Sequence, residues 1–276
     1  MVQPSTLTYP TTTTIRQRSE PKEVTHMSIN EIMFLGDIHG RMSNIATAME
    51  TAALNGIDTI IQVGDFWLYE PGELVKMERV QKRVQEQFGV NVGIHFIDGN
   101  HEDYRIINPH GETHELLPGV LTYHPRSDVF NVKGVTFGCF GGAVSIDQQF
   151  RKPGKTWWPE EVPSLGDVYR AHSTLDITKI DTPIDVLLTH DVPDFALGQV
   201  VDLDKHRDIH DSQIVRQMID EIADISRAPL IVHGHWHTYA EESYGGVKVL
   251  SLSRDCHHGS MVRVDEEHEV EVLHRN

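Results

Sequence analysis

Residues 32–40 read Ile32-Met33-Phe34-Leu35-Gly36-Asp37-Ile38-His39-Gly40. Four apolar residues closed by a glycine have the pattern of a strand buried on both faces, and side chains able to hold a metal follow at once. The same arrangement recurs four times. Thr59-Ile60-Ile61-Gln62-Val63 runs into Gly64-Asp65, and residues 92–97 run into Asp98-Gly99-Asn100-His101-Glu102. Val186–Thr189 runs into His190-Asp191, and Leu230-Ile231-Val232 into His233-Gly234-His235-Trp236-His237.

The segments between the first three strands have helical spacing. In residues 41–54, Ile45, Ala48, Met49 and Ala52 share a side, with Asn55-Gly56 as C-cap; residues 73–88 are charged and amphipathic and stop at Gly89. Strand, helix, strand, helix, strand predicts βαβ units on a parallel sheet. Beyond them, Val129–Val132 and Val135–Phe140 flank Lys133-Gly134 as a hairpin, residues 147–182 read as irregular, and residues 211–225 as a helix with Ile214, Met218, Ile222 and Ile225 on its core stripe. Short strands at Ala240–Tyr244, 247–252, Met261–Val264 and 270–273 finish the chain. The expected class is α/β, a two-sheet β-sandwich flanked by helices, in one domain over residues 28–276. Residues 1–27, with the run Thr11-Thr12-Thr13-Thr14 and several prolines, are expected to be a disordered leader.

Composition narrows the partners. A formal net charge of -17 over 276 residues opposes binding of a long nucleic acid along a basic surface, although bound cations can reverse the field locally for a small phosphate ester. Two cysteines, Cys139 and Cys256, are too few for a disulfide framework and read as free thiols in a reducing compartment. No apolar run has transmembrane length and the first residues hold no signal-peptide core, so the expected location is cytoplasmic.

Each polar strand end has a bland reading by itself. An Asp-x-His triplet is weak, Gly-Asp is commonly a turn, Asn100 can cap a helix, and a lone His190 can be structural. Together they differ, because in an α/β sheet ligands bind beyond the carboxyl ends of the strands. Five such ends delivering Asp, His and Asn predict a metal cluster.

The series Asp37-x-His39, Gly64-Asp65, Gly99-Asn100-His101-Glu102, Thr189-His190 and Gly234-His235-x-His237 resembles the calcineurin-like metallophosphoesterase superfamily. Phe140-Gly141-Gly142-Ala143, Trp157-Trp158-Pro159-Glu160-Glu161 and His190-Asp191-Val192-Pro193 look like its small bacterial and phage-encoded members. The resemblance implies a dinuclear site: Asp37, His39 and His237 on one metal, Asn100, His190 and His235 on the other, Asp65 bridging. Manganese is the expected pair, with iron, zinc, nickel or cobalt as alternatives suited to carboxylate, imidazole and amide ligands. It further implies a metal-dependent phosphoric ester hydrolase, in which a hydroxide shared by the ions attacks phosphorus and His101 gives a proton to the leaving oxygen. Asn100, His101 and Arg151 are the expected substrate contacts; Trp157 and Trp158 read first as packing anchors of a loop, and His206, His210, His257 and His258 as surface residues.

One departure bears on the substrate. The superfamily's protein phosphatases continue Gly-Asp with Asp-Arg, whereas this chain has Gly64-Asp65-Phe66-Trp67-Leu68-Tyr69-Glu70. Without that fixed guanidinium a site depends less on a dianionic phosphate. The expectation is therefore a phosphodiesterase on a small or cyclic nucleotide-type diester, with a phosphomonoesterase as alternative and a non-catalytic scaffold as a distant one. The expected partner is a small phosphoester, with no membrane and no particular oligomeric state.

Overall fold

The structure, a computed structural model, describes residues 28–67, 71–200 and 210–274. The expected leader, His206 and residues 68–70 lie outside the described residues, as does the side chain of His210. Two mixed sheets form. The first has the order β13-β12-β1-β2-β3-β5-β4, built from β1 (Ile32–Leu35), β2 (Thr59–Gln62), β3 (Gly93–Phe96), β4 (His114–Leu117), β5 (Leu121–Tyr123), β12 (Met261–Val264) and β13 (Val270–Val272). The second has the order β10-β11-β9-β8-β7-β6, from β6 (Val129–Val132), β7 (Val135–Phe140), β8 (Val186–Thr189), β9 (Leu230–His233), β10 (Ala240–Tyr244) and β11 (Val247–Ser251).

Why the central strands are apolar throughout follows from what lies on each side. In β1, Ile32 and Phe34 point into the core between the sheets, while Met33 and Leu35 point out beneath α1 (Met42–Leu54) and α2 (Pro71–Phe88). In β8 and β9, Val186, Leu188, Leu230 and Val232 face the same inter-sheet core, and Leu187 and Ile231 face α3 (Leu165–Thr174) and α5 (His210–Ser226). Strands alternate sides residue by residue, so a strand covered on both faces loses its polar positions. The layers are helix, sheet, sheet, helix. A short helix, α4 (Leu197–Val200), precedes α5.

The orientation of the strands places the site. β1, β2 and β3 are mutually parallel, as are β7, β8, β9 and β11. Within each sheet the carboxyl ends therefore gather on one edge.

Four elements differ from the sequence reading. β4 and β5 extend the first sheet unannounced, because β4 is an edge strand without a buried face and β5 has three residues. α3 lies inside the stretch read as irregular; Leu165 and Tyr169 are exposed and Val168 and Ala171 buried, so its apolar pattern is faint. Its signal was the capping box Ser164-x-x-Asp167, in which each side chain bonds the other's backbone N–H. On α5 the core stripe is Val215, Ile219 and Ile222; Ile214 is exposed, and Met218 and Ile225 are half-buried. The helix sits about one residue's rotation from the expected phase, with the buried Arg216 beside Val215 turned toward Asp194 and Ser212.

The hairpin of β6 and β7 pairs in the expected register, and both turn residues, Lys133 and Gly134, have positive φ. Cys139 is buried and Cys256 half-buried, and both are free. Among the described residues no helix is long and apolar enough to cross a membrane.

Candidate metal centre

The loops after β1, β2, β3, β8 and β9 meet where the two sheets come together. Asp37 and His39 follow β1, Asp65 follows β2, Asn100 and His101 follow β3, His190 follows β8, and His235 and His237 follow β9. These turns are sharp. His39, Asp65, His235 and His237 all have φ between 49° and 66°, a region L-residues adopt at a cost and one that clusters at functional sites. Gly64, at φ 95°, lies so close to His190 that a Cβ there would run into the imidazole. Gly99 is equally constrained, with the Asp65 carboxylate where a side chain would stand.

Three groups of ligand-type atoms lie mutually within 4.8 Å: Asp37, His39 and His237; His39, Asp65 and His101; Asp37, Asp65 and His190. Asp65 is common to the last two. Its Oδ2 lies 3.5 Å from His39 Nε2, and its Oδ1 lies 3.3 Å from His190 Nε2. His237 Nε2 stands 3.0 Å from Asp37 Oδ2. Asn100 Oδ1 is 3.2 Å from His190 Nε2, and the His235 ring meets the His190 ring edge-on at 5.1 Å. All seven expected ligand residues therefore lie together, with His101 at their margin.

The donor set fits divalent cations. Asp37 Oδ2 and His39 Nδ1 are buried without a hydrogen bond, and buried polar atoms are ordinarily paired. His190 Nδ1 lies 2.7 Å from the Val63 carbonyl, so it must carry the proton, leaving Nε2 turned toward Asp65. Outer partners that fix a tautomer in this way accompany metal-binding histidines. Burial works against a charge on His190, yet Asp65, with Asp37 beyond, lifts it to about 10 in the absence of a cation. Burial likewise opposes charge on His39 and is outweighed by Asp65, Asp37 and Asp255. Such an excess of negative potential is what a cation neutralises. His235, by contrast, is pushed well down by burial and by His190.

Several contributing residues were not among those expected. Asp255 Oδ2 stands 3.6 Å from His39 Nδ1, and its backbone N–H bonds the Asp37 carbonyl. It follows β11, so the strand-end rule that found the others applied to it as well. Ser145 accepts from Asn100 Nδ2 at 3.0 Å and donates to Glu161 at 2.8 Å, which turns the Asn100 oxygen toward His190. Asp98, at the end of β3, does not face the cluster; Arg126 Nε and Nη2 hold it at 2.8 and 2.6 Å, and Tyr104 and Tyr123 donate to it.

Arg151 reaches back from the loop after β7. Its Nη2 is 2.6 Å from His101 Nε2 and 2.7 Å from Asp147 Oδ1. The site therefore does contain a guanidinium, supplied from the loop after β7 in place of the missing Asp-Arg pair. Burial, helped by Arg151 and His39, lowers the pKa of His101 against the pull of Asp65. Trp158 is buried, with Arg105 over its ring at 5.6 Å, as a packing anchor would be. His257 and His258 are exposed.

Two hollows flank His101 and His237. One, about 270 Å³, is lined by Asn100, Ile146, Asp147, Arg151 and Trp236; the other, about 320 Å³, by His39, Arg41, Trp67, Arg254 and Asp255.

A family model described as calcineurin-like phosphoesterase matches residues 31–239. Among solved structures, TT1561 of Thermus thermophilus is similar with a TM-score of 0.52 at 12% identity, over 87% of this chain and 97% of that one. A novel archaeal phosphodiesterase gives 0.43 at 13%, over 88% and 99%, and the phosphopantetheinyl hydrolase of Mycobacterium tuberculosis 0.43 at 15%, over 87% and 99%. At 12% identity the first of these speaks to the fold and to nothing finer. No curated protein matches the sequence.

Proposed function

The chain belongs to the calcineurin-like phosphoesterase family, which makes it a metal-dependent phosphoester hydrolase, and on that footing we propose that it is a phosphodiesterase using two divalent cations, manganese first among them. Asp37, His39 and His237 would hold one ion, Asn100, His190 and His235 the other, with Asp65 between them. Bound there, such ions activate water and neutralise charge on phosphoryl oxygens. The chain's own residues do the rest. His101, beside Asn100 but reached by solvent, donates the proton that the departing oxygen needs. Arg151, adjacent to that ring, pairs with a phosphoryl oxygen. The Ser145–Glu161 pair keeps the Asn100 amide aimed inward.

The observation that carries the diester preference is the pair of hollows meeting at His101 and His237. Phosphorus placed at their junction has room for a substituent on each side, whereas a monoester would leave one hollow empty. One observation favours the second reading, a phosphomonoesterase: Arg151 offers the guanidinium that a dianionic phosphate would use. Parallel assays of bis(p-nitrophenyl) phosphate and p-nitrophenyl phosphate with manganese decide between them. A higher kcat/KM on the diester supports the proposal, and an equal or higher value on the monoester overturns it.

A further inference from the structure

We propose that Trp67 is a positioning residue that fixes the His101 imidazole for proton transfer, a role that rests on His101 being the proton donor. The indole and imidazole stack with centroids 4.7 Å apart and planes 26° from parallel. His39 meets both rings edge-on, at 5.7 Å for Trp67 and 5.5 Å for His101. Among the described residues the His101 ring has one hydrogen-bond partner, Arg151, at Nε2. A ring anchored at one nitrogen can tilt about that contact, and the indole face restrains that tilt.

The chain holds Trp67 in place at a cost. Its φ is 61°, a conformation unfavourable for a bulky residue, and it persists because its surroundings determine it. The Glu102 carboxylate accepts the Phe66 and Trp67 N–H groups at 2.8 and 2.9 Å. Glu102 is the neighbour of His101 in the chain, so one buried carboxylate ties the indole to the backbone that carries the imidazole. From the other side Gly40 donates to the Phe66 carbonyl at 3.1 Å, and its Cα lies so near the Trp67 carbonyl that a Cβ would stand 2.6 Å from that oxygen. Strain maintained by converging contacts beside a reacting group is the mark of preorganisation. The indole face turned to His101 is thereby unavailable to a substrate base, which sets this role apart from a stacking platform.

The test uses manganese-loaded protein and two diesters, one with p-nitrophenol as leaving group, which departs without a proton, and one with phenol, which needs one. In W67A, kcat should fall about 10-fold or more on the phenyl diester and less than about threefold on the p-nitrophenyl diester, because a displaced acid matters only where protonation limits the rate. W67F should restore most of the loss. W67L keeps apolar bulk without a flat ring and should behave as W67A does, so the test survives if the alanine variant does not fold. In an H101A background, W67A should cost nothing further. Equal losses on both substrates, or additive losses in that background, overturn the role of Trp67. If H101A itself loses activity equally on both diesters, the proton-donor reading has failed instead.

Discussion

Asp65 Oδ1 and His190 Nε2 lie 3.3 Å apart although one follows a strand of the first sheet and the other a strand of the second. The pair stitches the two sheets at their shared edge, and the site exists only where they meet. Replacing Asp65 with Asn keeps the shape and removes one negative charge from the middle of the cluster. D65N should bind less than the full complement of metal by elemental analysis, and its kcat should fall by at least about 10³-fold, within the range by which activated nucleophiles and charge stabilisation speed such reactions.

Metal uptake should depend on pH with a defined sign. Without a cation, His190 is lifted to about 10, burial being outweighed by Asp65. A ligating imidazole must be neutral, so below about 10 a cation displaces a proton and affinity rises with pH. Calorimetry in buffers of different ionisation enthalpy should read this release near pH 8. The linkage to folding has the same origin: a folded-state value of about 10 against 6.5 stabilises the metal-free protein fully below 6.5, and the gain is lost as pH rises through about 10. The melting temperature of metal-free protein should fall across that window, and H190N should flatten the fall.

Truncating Arg151 should act on binding. A charge-assisted hydrogen bond contributes about 1.5–3 kcal/mol, so R151A should raise KM for bis(p-nitrophenyl) phosphate by about 10-fold or more, with circular dichroism unchanged. An unaltered KM would assign Arg151 to the Asp147 ion pair alone.

Glu161 reaches the centre through Ser145 and Asn100. Removal of such an outer partner typically costs about 10- to 100-fold in metal affinity. E161A should lose that much in competition with a chelator while retaining its fold, and E161Q, able to keep the Ser145 contacts, should lose less.

Arg126 tests stability apart from chemistry. It is fully buried, bonds Asp98 and donates to the carbonyls of Glu160 and Glu161. Leaving Asp98 buried without its counter-charge should lower unfolding free energy in urea by about 3–5 kcal/mol in R126A. A loss under about 1 kcal/mol would mean that water replaces the guanidinium.

Much of this was legible because two short-range rules coincide. An apolar run closed by glycine marks a doubly covered strand, and parallel strands send their carboxyl ends to one edge, so Asp37, Asp65, Asn100, His190 and His235 could be grouped from order alone. Residues that act across the fold left weaker traces. Arg151 sits in a loop whose path depends on packing, and Ser145 acts only through what Asn100 and Glu161 do on either side. Trp67 is visible in sequence only as an apolar residue two places after Asp65; its stack on His101 depends on backbone geometry that no pattern encodes. The phase of α5 was misjudged for a related reason: Arg216 is buried with polar partners, and hydropathy ranks it as surface.

The most direct measurement is a manganese titration of metal-stripped protein while hydrolysis of bis(p-nitrophenyl) phosphate is followed. The account predicts no turnover before the metal is added and a rise to a plateau as two ions bind per chain, a stoichiometry read in parallel by elemental analysis. Turnover that survives stripping, or a folded protein that stays inactive with every divalent cation, would contradict it.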